Sequence, residues 1–242
     1  MNSRDIATTN RHFYDALWSD TYLERPERFN TWPLISELLP AASTRLEIGP
    51  GLRPRLPIAG THFIDISLPA IERLNARGGI AAPGEVTALP FQDMSFDLVC
   101  AFDVIEHVED DRQVFREVSR VLKDEGVLIV SVPVHADQWT EFDDCVGHVR
   151  RYEPPELLGI MADCELTLER SAVFGMQPTN PRLLKCGVWW LKHRHTEAMF
   201  WYNWVFMPLG MFFQKRLKFV SGLLDTTGVD AIILMCRRRR RS

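Results

Sequence analysis

Two glycines and two carboxylates stand at the ends of the first two predicted strands of this chain, where they could hold a ligand. Gly49 and Gly51 follow a short strand that contains Glu47. Glycine lets the backbone approach a ligand closely and adopt unusual dihedral angles. Asp65 comes 18 positions after Glu47, in the second strand, and its carboxylate can accept two hydrogen bonds from ribose hydroxyls. Together these residues suit a cofactor that contains adenosine.

The loop after the first strand does not suit a diphosphate. A Gly-x-Gly pattern alone is also typical of an ordinary tight turn, and Pro54 stands where a dinucleotide fingerprint has its third glycine. Arg53, Pro54 and Pro57 disfavour a long helix after the loop. Such a helix would hold a diphosphate at its N-terminus. The sequence therefore favours a cofactor without phosphates over a nicotinamide dinucleotide.

Strands and helices alternate along the part of the chain that positions these residues. Strands are predicted at residues 45–48, 62–66, 96–102, 127–132, 166–174 and 231–236, and helices at 69–77, at 110–123 and from 154 onward. This alternation predicts a parallel sheet with helices on both faces. Ligands bind such a sheet beyond the carboxyl ends of its strands, where the glycines and Asp65 lie.

The pattern divides the chain into five parts. We expect an N-terminal helical cap at 1–43, an α/β core at 44–175, an inserted helical cap at 176–228, the last core strand at 229–236 and a basic tail at 237–242. The inserted cap is too long for a loop. The tail, with its five arginines, is typical of a solvated and mobile segment.

The inserted cap is rich in aromatic residues, and three interpretations of them stay open. They could form its own core, line an apolar acceptor pocket, or contact a membrane surface through 198–216, with Lys215, Arg216, Lys218 and the arginine tail facing anionic headgroups. The uncharged stretch 198–214 is interrupted by Asn203, Pro208 and Gly210, which disfavours a spanning helix. The aromatic residues are Trp189, Trp190, Trp201, Tyr202, Trp204, Phe206, Phe212 and Phe213.

Charge and cysteine content exclude several classes of function. The net charge is −4, which does not indicate a general nucleic-acid partner. The five cysteines are widely spaced and include no Cys-x-x-Cys pair, so neither a disulfide framework nor a metal site is expected. The polar N-terminus has no apolar signal-peptide core. We therefore expect a cytoplasmic protein, in peripheral membrane contact if the cap binds lipid.

Four motifs, in order and at matching spacing, resemble those of class I S-adenosylmethionine-dependent methyltransferases. The first two are Leu46–Gly51 and Phe63–Ser67. The stretch 85–97, which contains Leu89-Pro90-Phe91, and then Val104–Val108 are similar to the small-molecule, type 11-like branch of the family. The resemblance covers about residues 44 to 174. It implies a Rossmann-like, doubly wound and mostly parallel seven-stranded sheet, with the aromatic cap inserted before the last strand.

The resemblance also implies how S-adenosylmethionine would be held. Gly49, Pro50 and Gly51 would pass beneath its amino-acid part, Glu47 would orient its ammonium group, and Asp65 would hold the ribose. Ile66 would pack on the adenine, which Glu85 and the backbone of Val86 would recognise. The remaining expected cofactor contacts are Tyr14, Phe102 and Asp103. This loop departs from the family pattern in its missing third glycine and shortened following helix.

The segment after the predicted strand at 127–132, which we expect to be central in the sheet, would overhang the transferred methyl group. It supplies the candidate catalytic residues. A hydroxyl acceptor would need a general base. His148 is the first candidate for it and His135 a weaker one, and Asp143 and Tyr152 lie in the same segment as His148, with Asp143 a further candidate catalytic residue. Each could instead be an ordinary loop residue, and His107 is expected to hold the loop after the strand at 96–102. Arg150 and Arg151 could bind an anionic acceptor or pair with acidic neighbours.

The predicted function is methyl transfer from S-adenosylmethionine to a small-molecule or apolar, lipid-like acceptor, with oxygen favoured as the accepting atom. Two alternatives stay open: an N- or C-methyltransferase of a biosynthetic pathway, and a non-catalytic scaffold with a methyltransferase-like domain.

Overall fold

The structure is a computed structural model that describes residues 17–18, 21–175 and 181–240. Its centre is an eight-stranded sheet in the order β3-β2-β1-β4-β5-β8-β6-β7. Strands β1 to β5 are parallel to one another, whereas β8 runs antiparallel to both β5 and β6. The strands are β1 (Arg45–Ile48), β2 (His62–Asp65), β3 (Ile80–Pro83), β4 (Phe96–Phe102), β5 (Leu122–Pro133), β6 (Leu166–Phe174), β7 (Val220–Ser221) and β8 (Ala231–Arg238).

Helices cover both faces of this sheet and form the insert. They are α1 (Trp32–Leu38), α2 (Leu68–Asn75), α3 (Asp111–Val121), α4 (Glu141–Val146), α5 (Pro154–Asp163), α6 (Pro181–His193), α7 (His195–Trp201) and α8 (Met207–Phe213). A π-helical turn, Tyr202–Phe206, joins α7 to α8, and a short 3₁₀ turn, Ile105–His107, follows β4. The doubly wound α/β fold is as predicted.

The connection from β1 to β2 contains turns and no helix, as Pro54 and Pro57 predict. The sheet face next to it is covered instead by α1, whose Leu34 and Ile35 pack in one buried cluster with Leu56. A second cluster on α3 and α5 fills the opposite face around β4 and β5. The apolar side chains of these two layers bury the central strands, which keeps the carboxyl ends of β1, β2, β4 and β5 in fixed register.

Two features of the sheet differ from the expectation. It has eight strands rather than seven, because the end of the insert adds the two-residue edge strand β7 to β6. The last strand does not end at 236, because β8 continues through Arg237 and Arg238. Arg238 is fully buried and donates to the Leu122 carbonyl, while Arg237 forms an ion pair with Glu169. These two arginines are therefore part of the sheet and not of a mobile tail.

Candidate active site

The glycine loop after β1 has a backbone conformation in which other residue types would be strained. Gly49 and Gly51 have φ angles of 62° and 52°. A Cβ atom on Gly49 would lie 2.6 Å from Val104, and one on Gly51 would lie 2.3 Å from the Trp18 ring. Both positions thus need glycine for two reasons, the left-handed backbone and the absence of space.

Asp65 fixes this loop from the end of β2. One carboxylate oxygen accepts a hydrogen bond from the Gly51 backbone N–H at 2.8 Å, and the other accepts one from the Ser67 N–H at 2.8 Å. Asp65 is buried. Each carboxylate oxygen can accept a second hydrogen bond, so the geometry is compatible with the predicted ribose contact while giving Asp65 a structural task as well.

Glu47 holds the segment that follows the loop. Its carboxylate accepts hydrogen bonds from the backbone N–H groups of Arg55, at 2.8 and 3.0 Å, and of Leu56, at 2.9 Å. Burial raises the pKa of Glu47 to about 7, although these backbone donors act in the opposite direction. The structure thus shows Glu47 bonded to its own chain, and its contact with a cofactor ammonium stays a prediction.

The other predicted cofactor residues line the carboxyl ends of neighbouring strands. Ile66 is half-buried after β2, and Glu85 and Val86 follow β3, with Glu85 exposed. At the end of β4, Asp103 has a φ of 53°. Its carboxylate accepts a hydrogen bond from the Ser131 hydroxyl at 2.7 Å. Pro50 is buried in the loop, Phe102 is buried at the end of β4, and Tyr14 lies outside the described residues.

Three residues at this edge of the sheet were not predicted to belong to the site. The Trp18 ring lies against Gly51, one of the glycines that the family resemblance puts beneath the cofactor's amino-acid part. Arg53 binds the insert, donating to the Asn203 side chain at 2.9 Å and to the Tyr202 hydroxyl at 3.2 Å. Asn203 in turn donates to the Leu17 carbonyl at 2.8 Å. The insert is therefore joined to the glycine loop.

Arg55 is the third of these residues. Its guanidinium carbon lies 3.6 Å from the centre of the Phe29 ring and 5.6 Å from that of Phe102. Burial lowers the pKa of Arg55 to about 10, and the charge of Asp103 opposes this shift. Its Nε atom has no hydrogen-bond partner among the described residues. A basic residue in a loop gives no sequence signal that it will be buried beside Phe102.

His148 and Asp143, the first two catalytic candidates, are brought together. His148 Nδ1 lies 2.8 Å from Asp143 Oδ1. Asp143 also forms a bidentate ion pair with Arg151, with both nitrogen–oxygen distances at 2.9 Å. Although burial works against ionisation, the bonds from His148 and Arg151 hold the pKa of Asp143 below its usual range. Asp143 is therefore positioned to orient His148 and carries a structural ion pair.

The other ring nitrogen of His148 faces Glu106. His148 Nε2 lies 3.8 Å from Glu106 Oε1, and the His107 and His148 ring centres are 4.7 Å apart. His107 Nδ1 lies 3.1 Å from the Gly147 carbonyl oxygen, which ties the turn after β4 to the end of α4. Burial, and then His148, lower the pKa of His107 to about 3. Whether His148 is a base stays a prediction.

His135 and the arginines of this segment have other partners. His135 Nε2 lies 2.8 Å from the Thr226 carbonyl oxygen, so this ring is tied to the end of the insert. Arg150 forms an ion pair with Asp111 at 2.6 Å, and Arg151 pairs with Asp143 and Asp230. Of the two interpretations of these arginines, the structure shows pairing with acidic neighbours.

Most aromatic side chains of the insert are exposed rather than forming its core. The buried residues of α7, the π-helical turn and α8 are Ala198, Met199, Asn203, Met207 and Met211, of which the last four lie at intervals of four. The most exposed apolar residues of the same elements, called the aromatic surface below, are Phe200, Trp201, Trp204, Phe206, Leu209, Phe212 and Phe213. Among the described residues, no helix is both long and apolar enough to cross a membrane.

Comparison with known proteins agrees with this geometry. A family model described as a methyltransferase domain matches residues 48–130, which include the glycine loop and Asp65. The uncharacterized protein YafE of Escherichia coli is 28% identical over 146 residues, which are 57% of this chain and 68% of YafE. A Mycobacterium tuberculosis protein named as the probable S-adenosylmethionine-dependent methyltransferase Rv3030 is 36% identical over 77 residues, 31% of this chain and 28% of that protein.

Solved structures show the same fold. A methyltransferase of Thermotoga maritima superposes with a TM-score of 0.57 at 16% identity, over 88% of this chain and 91% of its own. The strand order and the glycine loop define a doubly wound α/β protein with its ligand edge at the carboxyl ends of the strands. Residues 48–130 thus match a methyltransferase domain, and the relatives and solved structures that resemble the chain include proteins named as S-adenosylmethionine-dependent methyltransferases, whose cofactor is S-adenosylmethionine.

Proposed function

We propose that the chain transfers a methyl group from S-adenosylmethionine to an oxygen atom of an apolar, lipid-like molecule at a membrane surface. The observation that carries this proposal is the aromatic surface. It lies on the insert, which Arg53 joins to the glycine loop. Phe212 and Phe213 are 81% and 70% exposed, and large exposed apolar side chains concentrated in one segment are typical of a contact with lipid or a partner.

The charges beside the aromatic surface support the same proposal. Lys215, Arg216 and Lys218 follow α8 and are exposed, which suits anionic headgroups next to buried aromatic rings. The described part of the arginine tail, residues 237–240, does not share this location. Arg237 pairs with Val127, in the first half of β5. The insert, in contrast, begins after β6 and ends before β8 at the edge of the sheet where β5 has its carboxyl end. The proposal therefore assigns membrane contact to the insert alone.

Methyl transfer in this site needs mainly alignment and exclusion of water, because the sulfonium of the cofactor is already an activated electrophile. The loop at Gly49 and Gly51 and the carboxylate of Asp65 would hold the cofactor. Arg55, buried beside Phe102, is placed for an anionic group such as the cofactor's carboxylate. A hydroxyl acceptor also has to lose a proton. The buried side chains that follow β4 and α4 would lie nearest to that hydroxyl.

The experiment is a methyl-transfer assay with carbon-13-methyl-labelled cofactor and two extracts of the producing cells, one chloroform-soluble and one water-soluble. We expect label in the chloroform-soluble product, with the carbon chemical shift of an O-methyl group. Label found only in the water-soluble extract would refute a lipid-like acceptor, and an N- or C-methyl shift would refute oxygen. Asp65→Ala should lose the transfer, whereas Asp163→Ala, at an exposed ion pair on α5, should keep it.

One observation favours a second candidate function, that of a non-catalytic scaffold. The Trp18 ring lies where a side chain on Gly51 would project, so a cofactor packed on that side of the glycine would contact or displace the indole. Isothermal titration separates the two candidates. Saturable binding of S-adenosylmethionine or S-adenosylhomocysteine supports the enzyme, and binding of neither supports the scaffold.

A further inference from the structure

Three side chains from two separate segments meet beside the ends of β4 and β5. One carboxylate oxygen of Glu106 and one ring nitrogen each of His107 and His148 all lie within 4.8 Å of one another. Glu106 and His107 belong to the 3₁₀ turn after β4, and His148 follows α4. Ligand atoms bound at about 2 Å from one metal ion lie roughly 3 to 4 Å apart. The 3.8 Å between His148 Nε2 and Glu106 Oε1 lies in that range.

Both imidazoles are oriented as metal ligands usually are. The Nδ1 atom of His107 faces the Gly147 carbonyl, and that of His148 faces the Asp143 carboxylate. Each of these acceptors calls for a proton on Nδ1, which leaves the lone pair on Nε2 in a neutral ring. Histidines that bind metals commonly donate their second ring N–H to a carboxylate or carbonyl in this way. Asp143 is itself held by Arg151.

Glu106 supplies a second, independent observation. Its side chain is 1% exposed, and its Oε2 atom has no hydrogen-bond partner among the described residues. A buried carboxylate oxygen without a partner is costly. Its Oε1 atom at 3.8 Å from His148 is also too far for a hydrogen bond. The positive side chain of Arg151 does not compensate Glu106 directly, since it pairs with Asp143 and Asp230.

We propose that Glu106, His107 and His148 bind one divalent transition-metal ion. Two imidazoles and one carboxylate suit zinc, cobalt, manganese or iron(II), with the remaining coordination positions for water or an acceptor oxygen. No metal site was predicted from the sequence, because His148 is some forty residues from Glu106 and His107 and no cysteine pair accompanies them. His148 then serves as a ligand through Nε2, in place of the predicted role as a base.

The site has a use in the proposed function, on which this part of the inference rests. A hydroxyl bound to a divalent metal ion loses its proton far more readily than a free one. The metal would therefore let an acceptor hydroxyl release its proton to solvent water, and the resulting oxygen would take the methyl group as the S–CH3 bond of the sulfonium breaks and S-adenosylhomocysteine leaves. Apolar molecules that present a hydroxyl, or two neighbouring oxygens able to chelate, form the acceptor class that fits.

Metal binding is tested directly with untagged protein, stripped with a chelator and titrated with cobalt(II) without S-adenosylmethionine. We expect saturable binding of about one ion per chain, seen in the visible absorption of cobalt(II). Glu106→Gln and His148→Gln should each weaken it by more than about tenfold. His193→Gln, an exposed histidine bonded to the carbonyl of Trp189 in its own helix, should bind as the wild type does.

Several results would overturn the site: no saturable binding by the wild type, unchanged binding in both cluster variants, or equal weakening in His193→Gln. Thermal melts of each variant distinguish a lost ligand from a lost fold, and the wild type should melt higher with cobalt(II). Cofactor binding is measured separately in chelator. If S-adenosylmethionine binds and cobalt(II) does not, the metal inference alone fails; if cobalt(II) binds and the cofactor does not, the proposed function alone fails.

Discussion

A side chain at Gly51 would collide with the Trp18 ring, and one at Gly49 with Val104. Gly222 separates the effect of such a collision from the effect of backbone strain, because it has a similar φ of 69° and nothing near its missing Cβ. We expect Gly49→Ala and Gly51→Ala to weaken S-adenosylmethionine binding more than about tenfold. Gly222→Ala should cost only about 1 kcal/mol of stability, from strain. Isothermal titration and urea unfolding measure both effects, and equal losses of affinity at all three positions would contradict this account.

Glu47 makes a prediction about pH. Its pKa is about 7 in the folded chain, raised by burial, so the folded state binds a proton more tightly than the unfolded state. The corresponding stability is present below the usual pKa of a glutamate and is lost as pH rises through about 7. We expect the free energy of unfolding to fall between about pH 5 and about pH 8.

The matched variants for this prediction are Glu47→Gln and Glu72→Gln. A glutamine oxygen can accept from both Arg55 and Leu56, as protonated Glu47 does, and it does not titrate. Glu47→Gln should therefore flatten the pH dependence, whereas Glu72→Gln, on the exposed side of α2, should leave it. Denaturant midpoints at the two pH values provide the measurement, and a fall of the same size in Glu47→Gln would show that another group is responsible.

At the scale of elements, Asp97 joins β4 to β5 and to the residues just before β1, at the edge opposite the site. It accepts from the Thr44 backbone, from the Ser43 hydroxyl and from Lys123 of β5, at 2.8 to 2.9 Å. Although partial burial opposes ionisation, these donors hold the pKa of Asp97 below its usual range. Its stabilising effect is therefore present at neutral pH and is lost as pH falls below the usual range of an aspartate.

Replacing Asp97 tests this junction. We expect Asp97→Asn to lower the free energy of unfolding by about 1–3 kcal/mol at neutral pH, and by less in acid. Asp137→Asn, in the exposed turn after β5, should change little. Urea unfolding at both pH values is the measurement. An Asp97→Asn loss that persists undiminished in acid would mean that shape, and not charge, ties these strands.

The predictability of the fold differs between elements for physical reasons. Strands β4 and β5 could be predicted because long apolar runs mark buried strands. β3 was missed because it is short and Ile80 is exposed. Arg237 and Arg238 were predicted to belong to a solvated tail, because their partners, Glu169 and the Leu122 carbonyl, are distant in sequence. The local sequence pattern thus predicts which residues the core buries, but not which partners a charged residue has in the fold.

The candidate site shows the same limit. Gly49, Gly51 and Asp65 lie at the ends of neighbouring strands, so their spacing along the chain already predicts that they meet. Glu106 and His148 meet only because β4 and β5 pair in the observed register and α4 ends at Gly147. Trp18 and Arg55 give no local sign that they will lie at the loop. Chain spacing predicted the cofactor side, whereas the rest depends on tertiary packing.

At the scale of the whole molecule, the insert and the arginine tail lie at different edges of the sheet, and this separates two origins of membrane binding. We expect the protein to float with anionic vesicles. Phe212→Ser with Phe213→Ser should reduce flotation strongly, because both rings are exposed on the aromatic surface. Leu68→Ser, equally apolar and 61% exposed on α2, should leave it unchanged.

The charges beside the two edges give the sharper comparison. Lys215→Gln and Arg216→Gln should each weaken binding to anionic vesicles by about 1 kcal/mol, and added salt should shrink the difference because it screens exposed charges. Arg240→Gln removes the same charge beside Glu125, at the other edge, and should have no effect. Vesicle flotation across a range of anionic lipid content measures all three. If Arg240→Gln weakens binding as much as the other two, the membrane attracts the whole chain through its charge, and the insert is not the surface that seats on lipid.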